Sequence, residues 1–90
     1  MIAEIIINRT AKRLNRTFDY KVPLELEELI MIGSTVLVPF GKSSTLEEGY
    51  VVGIKENTTY EVKKIVKIKK NRYGIPILPI FHLLIFFHFQ

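Results

Sequence analysis

Residues 35–55 read Thr-Val-Leu-Val-Pro-Phe-Gly-Lys-Ser-Ser-Thr-Leu-Glu-Glu-Gly-Tyr-Val-Val-Gly-Ile-Lys, and their pattern decides the fold. Thr35 to Pro39 is a short run of strand-forming side chains that ends at Pro39-Phe40-Gly41-Lys42. Gly49 to Lys55 then places Tyr50, Val52 and Ile54 on one face, the period of two that marks a strand. Working outward, Ala3 to Asn8 carries the β-branched run Ile5, Ile6, Ile7, and Thr17 to Val22 alternates Phe18, Tyr20 and Val22 against Asp19 and Lys21. Asn57-Thr58-Thr59 predicts a turn, followed by a fifth strand over Tyr60 to Ile68. Leu24 to Met31 holds good helix formers after Pro23 but has barely two turns before Gly33, which predicts one turn of helix or an irregular loop. Five short strands without a long helix between them exclude parallel βαβ architecture. They predict a mainly β fold, an antiparallel meander curling into a small open barrel of OB- or SH3-like appearance.

Ninety residues give at most one small domain, with no room for a motor or a two-lobed enzyme. Hydrophobic residues make up 48% and charged residues 24%, so wholesale disorder and fibrous repeats are excluded. The absence of cysteine removes disulfides, thiolate metal sites and cysteine nucleophiles together. Thirteen basic residues against nine acidic ones, with a pI near 9.5, favour encounter with polyanions. No basic region followed by an apolar run opens the chain, which argues against a secretory signal and for a cytoplasmic protein.

Charge is unevenly placed. All nine acids lie at or before Glu61, whereas residues 71–90 carry one base, no acid and 12 apolar side chains. The expected division is therefore a domain over 1–68 and a basic-then-hydrophobic tail over 69–90. The apolar stretch from Ile75 to Phe89 is too short to span a bilayer, so no membrane partner is expected. Pro76 and Pro79 are expected to block a strand ladder there.

Paired carboxylates and serine–histidine pairs do not occur in a persuasive setting, Glu47-Glu48 reading as a solvated turn, and neither GxxxxGK(S/T) nor GxGxxG is present. His82 and His88 stand in the apolar tail with no acid near them in sequence, which argues against a metal site. The cations Arg9, Lys12, Arg13 and Arg16 precede Phe18, Asp19 and Tyr20, a mixture of the kind that tracks phosphates and stacks on bases. The same alternation is also ordinary strand patterning, with Phe18 and Tyr20 in the core. Gly41, Lys42 and the serines after them read either as a phosphate contact or as a simple turn. Lys63, Lys64 and Lys67 read either as phosphate contacts or as the solvated lysines of an edge strand.

Taken together, Arg16-Thr17-Phe18-Asp19-Tyr20-x-Val22-Pro23, Gly33-x-x-Val36-x-Val38-Pro39-Phe40-Gly41-Lys42 and Gly49-Tyr50-Val51-Val52-Gly53 resemble the N-terminal DNA-binding domain of the bacterial primosomal protein N′ (PriA) family of replication-restart helicases. The resemblance covers residues 2 to about 68. It implies a module that binds the 3′ end of a single or nascent leading strand at a stalled fork. Its end pocket would be formed by Phe18, Asp19, Tyr20, Gly41 and Lys63, with Lys64 as the neighbouring candidate for the lysine. Phosphate contacts are expected from Arg13, Arg16, Lys42 and Lys64. Single-stranded 3′ ends and forked DNA would be the partners, with primosome proteins and single-strand-binding protein beside them. The winged-helix module, ATPase motor and zinc sites of the family have no counterpart in these residues. No helicase activity, catalytic residue or cofactor is therefore expected here, ATP and zinc belonging to the missing parts. A truncated or frame-shifted reading frame is the expectation this raises. The alternative is an SH3-like protein-interaction barrel that binds no DNA.

Overall fold

The computed structural model describes residues 1–8 and 16–78. Its strands are β1 (Ile2–Ile7), β2 (Phe18–Lys21), β3 (Thr35–Phe40), β4 (Thr45–Lys55) and β5 (Lys67–Lys70), and one 3₁₀ turn spans Leu24–Leu26. All four strand pairings are antiparallel, in the order β2-β1-β4-β3-β5. The fold is mainly β, as the alternation implies. It is not a simple meander: β1 lies between β2 and β4, so the first strand is completed by one that arrives more than forty residues later. Side-chain period specifies a strand but not its neighbour, which is why chain order misled.

The fifth strand also differs from the expectation. Only Lys67–Lys70 joins the ladder, against Thr35 to Leu37 of β3. The preceding residues serve another edge: Lys21 donates its N–H to the Lys63 carbonyl (2.9 Å), and Ile65 donates to the Lys21 carbonyl (3.0 Å). Val66 then donates to Leu37 (2.9 Å). Residues 63–66 thus span the gap between the β2 edge and β3 with a single parallel bridge, and the sheet stays open. Ile65, 2% exposed, fills that gap from inside.

One face of the curled sheet is dry. Ala3, Ile5 and Ile7 of β1 meet Tyr20, Val36, Val38, Val51 and Ile68, all buried, and Leu26, Leu29 and Ile30 close one side after the 3₁₀ turn. Removing these apolar side chains from water drives folding. A bulge between Glu4 and Ile5 in the β1–β4 pairing bends the two long strands. Tyr50, Val52 and Ile54 are 38–43% exposed, while Val51 between them is buried.

The boundary expected at Ile68 falls inside β5, and the chain then turns back on itself. Asn71 Oδ1 accepts the N–H groups of Tyr73 and Ile75, and Ile77 donates to the Lys69 carbonyl. Pro76 does not prevent pairing: its neighbours Ile75 and Ile77 carry the hydrogen bonds on either side of an isolated Lys70–Pro76 bridge. Ile77 packs against the core. Pro79, His82, His88 and the rest of the apolar tail lie outside the described residues, as do Arg9, Lys12 and Arg13.

Candidate nucleic-acid interface

A cleft of about 780 Å³ opens where β2, the β3–β4 turn and the segment before Lys63 converge. Among its lining residues are Arg16, Phe18, Asp19, Tyr20, Gly41, Lys42 and Lys63, so the five pocket residues expected from sequence share one wall system. Lys64 is not in the lining. It pairs through its backbone with Lys21 and its side chain is exposed elsewhere.

The two aromatic residues of the Phe-Asp-Tyr triplet differ in accessibility. Tyr20 is 4% exposed and donates its hydroxyl to the Pro39 carbonyl (2.7 Å), which fastens β2 to β3 across the core. Burial pushes its phenol pKa up. Phe18 is half-buried, meets Phe40 edge to face at 5.0 Å, and carries the Arg16 guanidinium 4.4 Å above its ring. Phe18 with Arg16 is therefore the accessible flat surface, and Tyr20 is the wall behind it.

Asp19 points the other way from the same strand. Its Oδ2 accepts from the Thr58 hydroxyl and pairs with Lys55 Nζ at 2.9 Å, with 7% of the side chain exposed. Burial pulls the carboxyl pKa up, but Thr58 and Lys55 together outweigh it and hold the group below its ordinary value, ionised at neutral pH. Lys55 is raised in turn by Asp19. Both contacts fall on Oδ2, and Asp19 is among the residues that line the cleft.

The loop 41–44 supplies the opposite lip. Gly41 has φ +79°, the left-handed region that favours glycine, and its carbonyl accepts from Ser44 N–H (3.1 Å) and from Lys63 Nζ (2.7 Å). Lys63 Nζ also donates to Ser44 Oγ (2.8 Å). An ammonium has three donors, so one remains for a ligand.

Sequence reasoning missed Glu4, Lys55, Thr58, Tyr60 and Glu61. Thr58 read as a turn residue, and Glu4 and Lys55 reach Asp19 only through the β2-β1-β4 order. No local signal marks them. The lining holds four cations (Arg16, Lys42, Lys55, Lys63) and three carboxylates (Glu4, Asp19, Glu61). Among the described residues no group of three or more metal-ligating side chains is placed to hold an ion, and no helix is long and apolar enough to cross a membrane.

A small open sheet whose cleft combines an accessible ring, a recessed carboxylate and a cationic lip is the architecture of a binding module. The chain belongs to the 3′ DNA-binding domain (3′BD) family of PriA, whose family model matches residues 4–84. It is 34% identical over 76 residues to the replication restart protein PriA of Bacillus subtilis, and 32% identical over 71 residues to that of Chlamydia trachomatis. Those matches take in 84% and 79% of this chain but 9% and 8% of the relatives' lengths. The family match runs beyond Ile68 and through the Asn71 turn.

Proposed function

We propose that this domain captures the 3′-hydroxyl end of a DNA strand, at a single-stranded terminus or a nascent leading strand on a stalled fork, and does no chemistry itself. The observation that supports this most is the ionised, recessed Asp19 inside a cleft lined by four cations. A site that served only to attract phosphates would be weakened by such a group. A terminal hydroxyl is different, because it is a neutral donor and Asp19 Oδ1 is an acceptor. The last base stacks on the surface that Phe18 and the Arg16 guanidinium form together, which is tolerant of base identity. Lys63, with its remaining donor, and Lys42 hold the phosphate that precedes the terminal sugar. A strand that continued past the site would bring another phosphate against Asp19, losing the acceptor and adding repulsion.

In this reading the module serves replication restart in the bacterial cytoplasm, with forked DNA as its ligand and no membrane or cofactor. Primosome proteins and single-strand-binding protein would be met chiefly through the other modules of the restart helicase, which also hold its ATP and zinc sites. Asp19→Ala tests the core of the proposal. Affinity for a linear strand with a free 3′-hydroxyl falls about tenfold or more, the worth of a hydrogen bond to a charged group, while binding to a circular single strand is not weakened. Equal loss on both ligands contradicts the role given to Asp19.

A further inference from the structure

Besides Asp19, the cleft is lined by two carboxylates that hydroxyl capture does not require, Glu4 and Glu61, and Glu4 is the one the sheet sets beside Asp19. The β1–β2 register sets Glu4 directly opposite Asp19, a cross-strand pairing of like charges that is unfavourable by itself. Lys55 lies between them, 2.9 Å from Asp19 Oδ2 and 3.9 Å from Glu4 Oε2. One ammonium faces two carboxylates, so the three side chains together carry one unit of negative charge.

Fold stability gives Glu4 little reason to be there. Its contact with Lys55 is at the outer limit of an ion pair and both side chains are over a third exposed, conditions under which such pairs contribute almost nothing. Asp19 is already held by Lys55 and Thr58 without it. The sheet nevertheless makes room for this carboxylate. Gly53 stands opposite Glu4 on β4, and a Cβ there would lie 2.5 Å from Glu4 Oε1. The missing side chain lets the Glu4 carboxylate lie across the sheet beside Lys55, lining the cleft.

We infer that Glu4 is a specificity-determining residue that rejects strand ends carrying a 3′-phosphate. The inference rests on the end-capture reading above. A 3′-hydroxyl needs one acceptor, Asp19, and is indifferent to an additional negative charge. A terminal phosphate brings between one and two further negative charges into the same space, where Asp19 repels it and Glu4 adds to the repulsion. Such an end cannot be extended by a polymerase until the phosphate is removed. A restart module that discriminates in this way loads only at ends from which synthesis can resume.

The test is fluorescence anisotropy with one single-stranded oligonucleotide ending in a 3′-hydroxyl or a 3′-phosphate, using wild type, Glu4→Gln and Glu4→Asp at low salt. Glu4→Gln is expected to keep hydroxyl-end affinity within about twofold and to raise phosphate-end affinity about threefold to tenfold, the effect of removing one nearby unit charge in a largely aqueous site. Glu4→Asp keeps the charge and is expected to keep most of the rejection. Raising the salt to about 0.3 M should shrink the contribution of Glu4, because screening then acts over less than about 8 Å. If Glu4→Gln does not fold, Gly53→Ala, which retains every charge but displaces the carboxylate, is expected to relax rejection in the same direction. A wild type that discriminates by the same factor as Glu4→Gln overturns the inference alone. A wild type that binds both ends equally overturns it together with the end-capture reading.

Discussion

Tyr20→Phe separates the wall of the cleft from its ligand-binding surface. The Tyr20 hydroxyl donates to the Pro39 carbonyl at 2.7 Å, and the ring beneath it is 4% exposed. Phenylalanine fills the same volume, so no cavity forms and the loss is confined to one hydrogen bond. The carbonyl is left without its protein donor, and the expected cost is about 1–2 kcal/mol. For a domain of this size that corresponds to a fall in Tm of about 4–8 °C per kcal/mol. Thermal unfolding followed by circular dichroism measures it, with oligonucleotide anisotropy at 15–20 °C below the variant's Tm as the companion assay, a margin set by that shift of about 4–8 °C per kcal/mol. Stability should drop while affinity for a 3′-hydroxyl end stays within about twofold, since the hydroxyl is spent inside the fold. An unchanged Tm with a large loss of affinity would refute the reasoning, because it would mean that the hydroxyl reaches DNA and not Pro39.

Ile65→Ala should cost about 2–4 kcal/mol in urea unfolding, because this side chain, 2% exposed, fills the opening between the Lys21 edge and β3; a cost under about 0.5 kcal/mol would show that the gap is not part of the core. Lys63→Ala should weaken hydroxyl-end and internal single-strand binding alike and make the slope of log affinity against log salt shallower by about 0.7, the contribution of one phosphate contact on a single strand. An unchanged slope removes Lys63 from the DNA surface. Acidification tests Asp19: its folded pKa lies below the ordinary 3.8, so its pairing with Lys55 contributes in full above the unfolded value and is lost only as pH falls through the lowered folded one. The Asp19 contribution to hydroxyl-end affinity should therefore be flat from about pH 8 to pH 5 and fall below about pH 4. A midpoint near pH 6 in wild type that vanishes in Asp19→Asn would mean that the carboxyl is raised, and would contradict the arrangement around it.

The strands were legible because their signal is local. Phe18, Tyr20 and Val22 alternate with Asp19 and Lys21 whatever they pair with, and the 3₁₀ turn after Pro23 follows from a helix-forming run too short to continue. Strand order was not legible. The placement of β1 between β2 and β4 depends on which apolar faces meet in three dimensions, and Tyr60 to Val66 carries strand-like composition while most of it forms no ladder. The candidate site divides along the same line. Phe18, Asp19, Tyr20, Gly41 and Lys63 line one cleft, but the partners that hold Asp19 ionised come from β4 and the turn after it. Lys55 and Thr58 are separated from Asp19 by over thirty residues and follow no spacing rule. Turn chemistry was equally hidden beyond β5, where one asparagine side chain organises the return of the chain and its partners are backbone groups.

One comparison in the unmodified chain tests end recognition most directly: the affinities of a single-stranded oligonucleotide with a 3′-hydroxyl and of the same strand closed into a circle, measured by competition at low salt. Recognition of the terminus by Asp19 predicts that the linear strand binds about tenfold or more tightly at equal nucleotide concentration, the worth of one hydrogen bond to a charged group. Equal affinities with a steep salt dependence would contradict it and leave a surface that reads only phosphate charge.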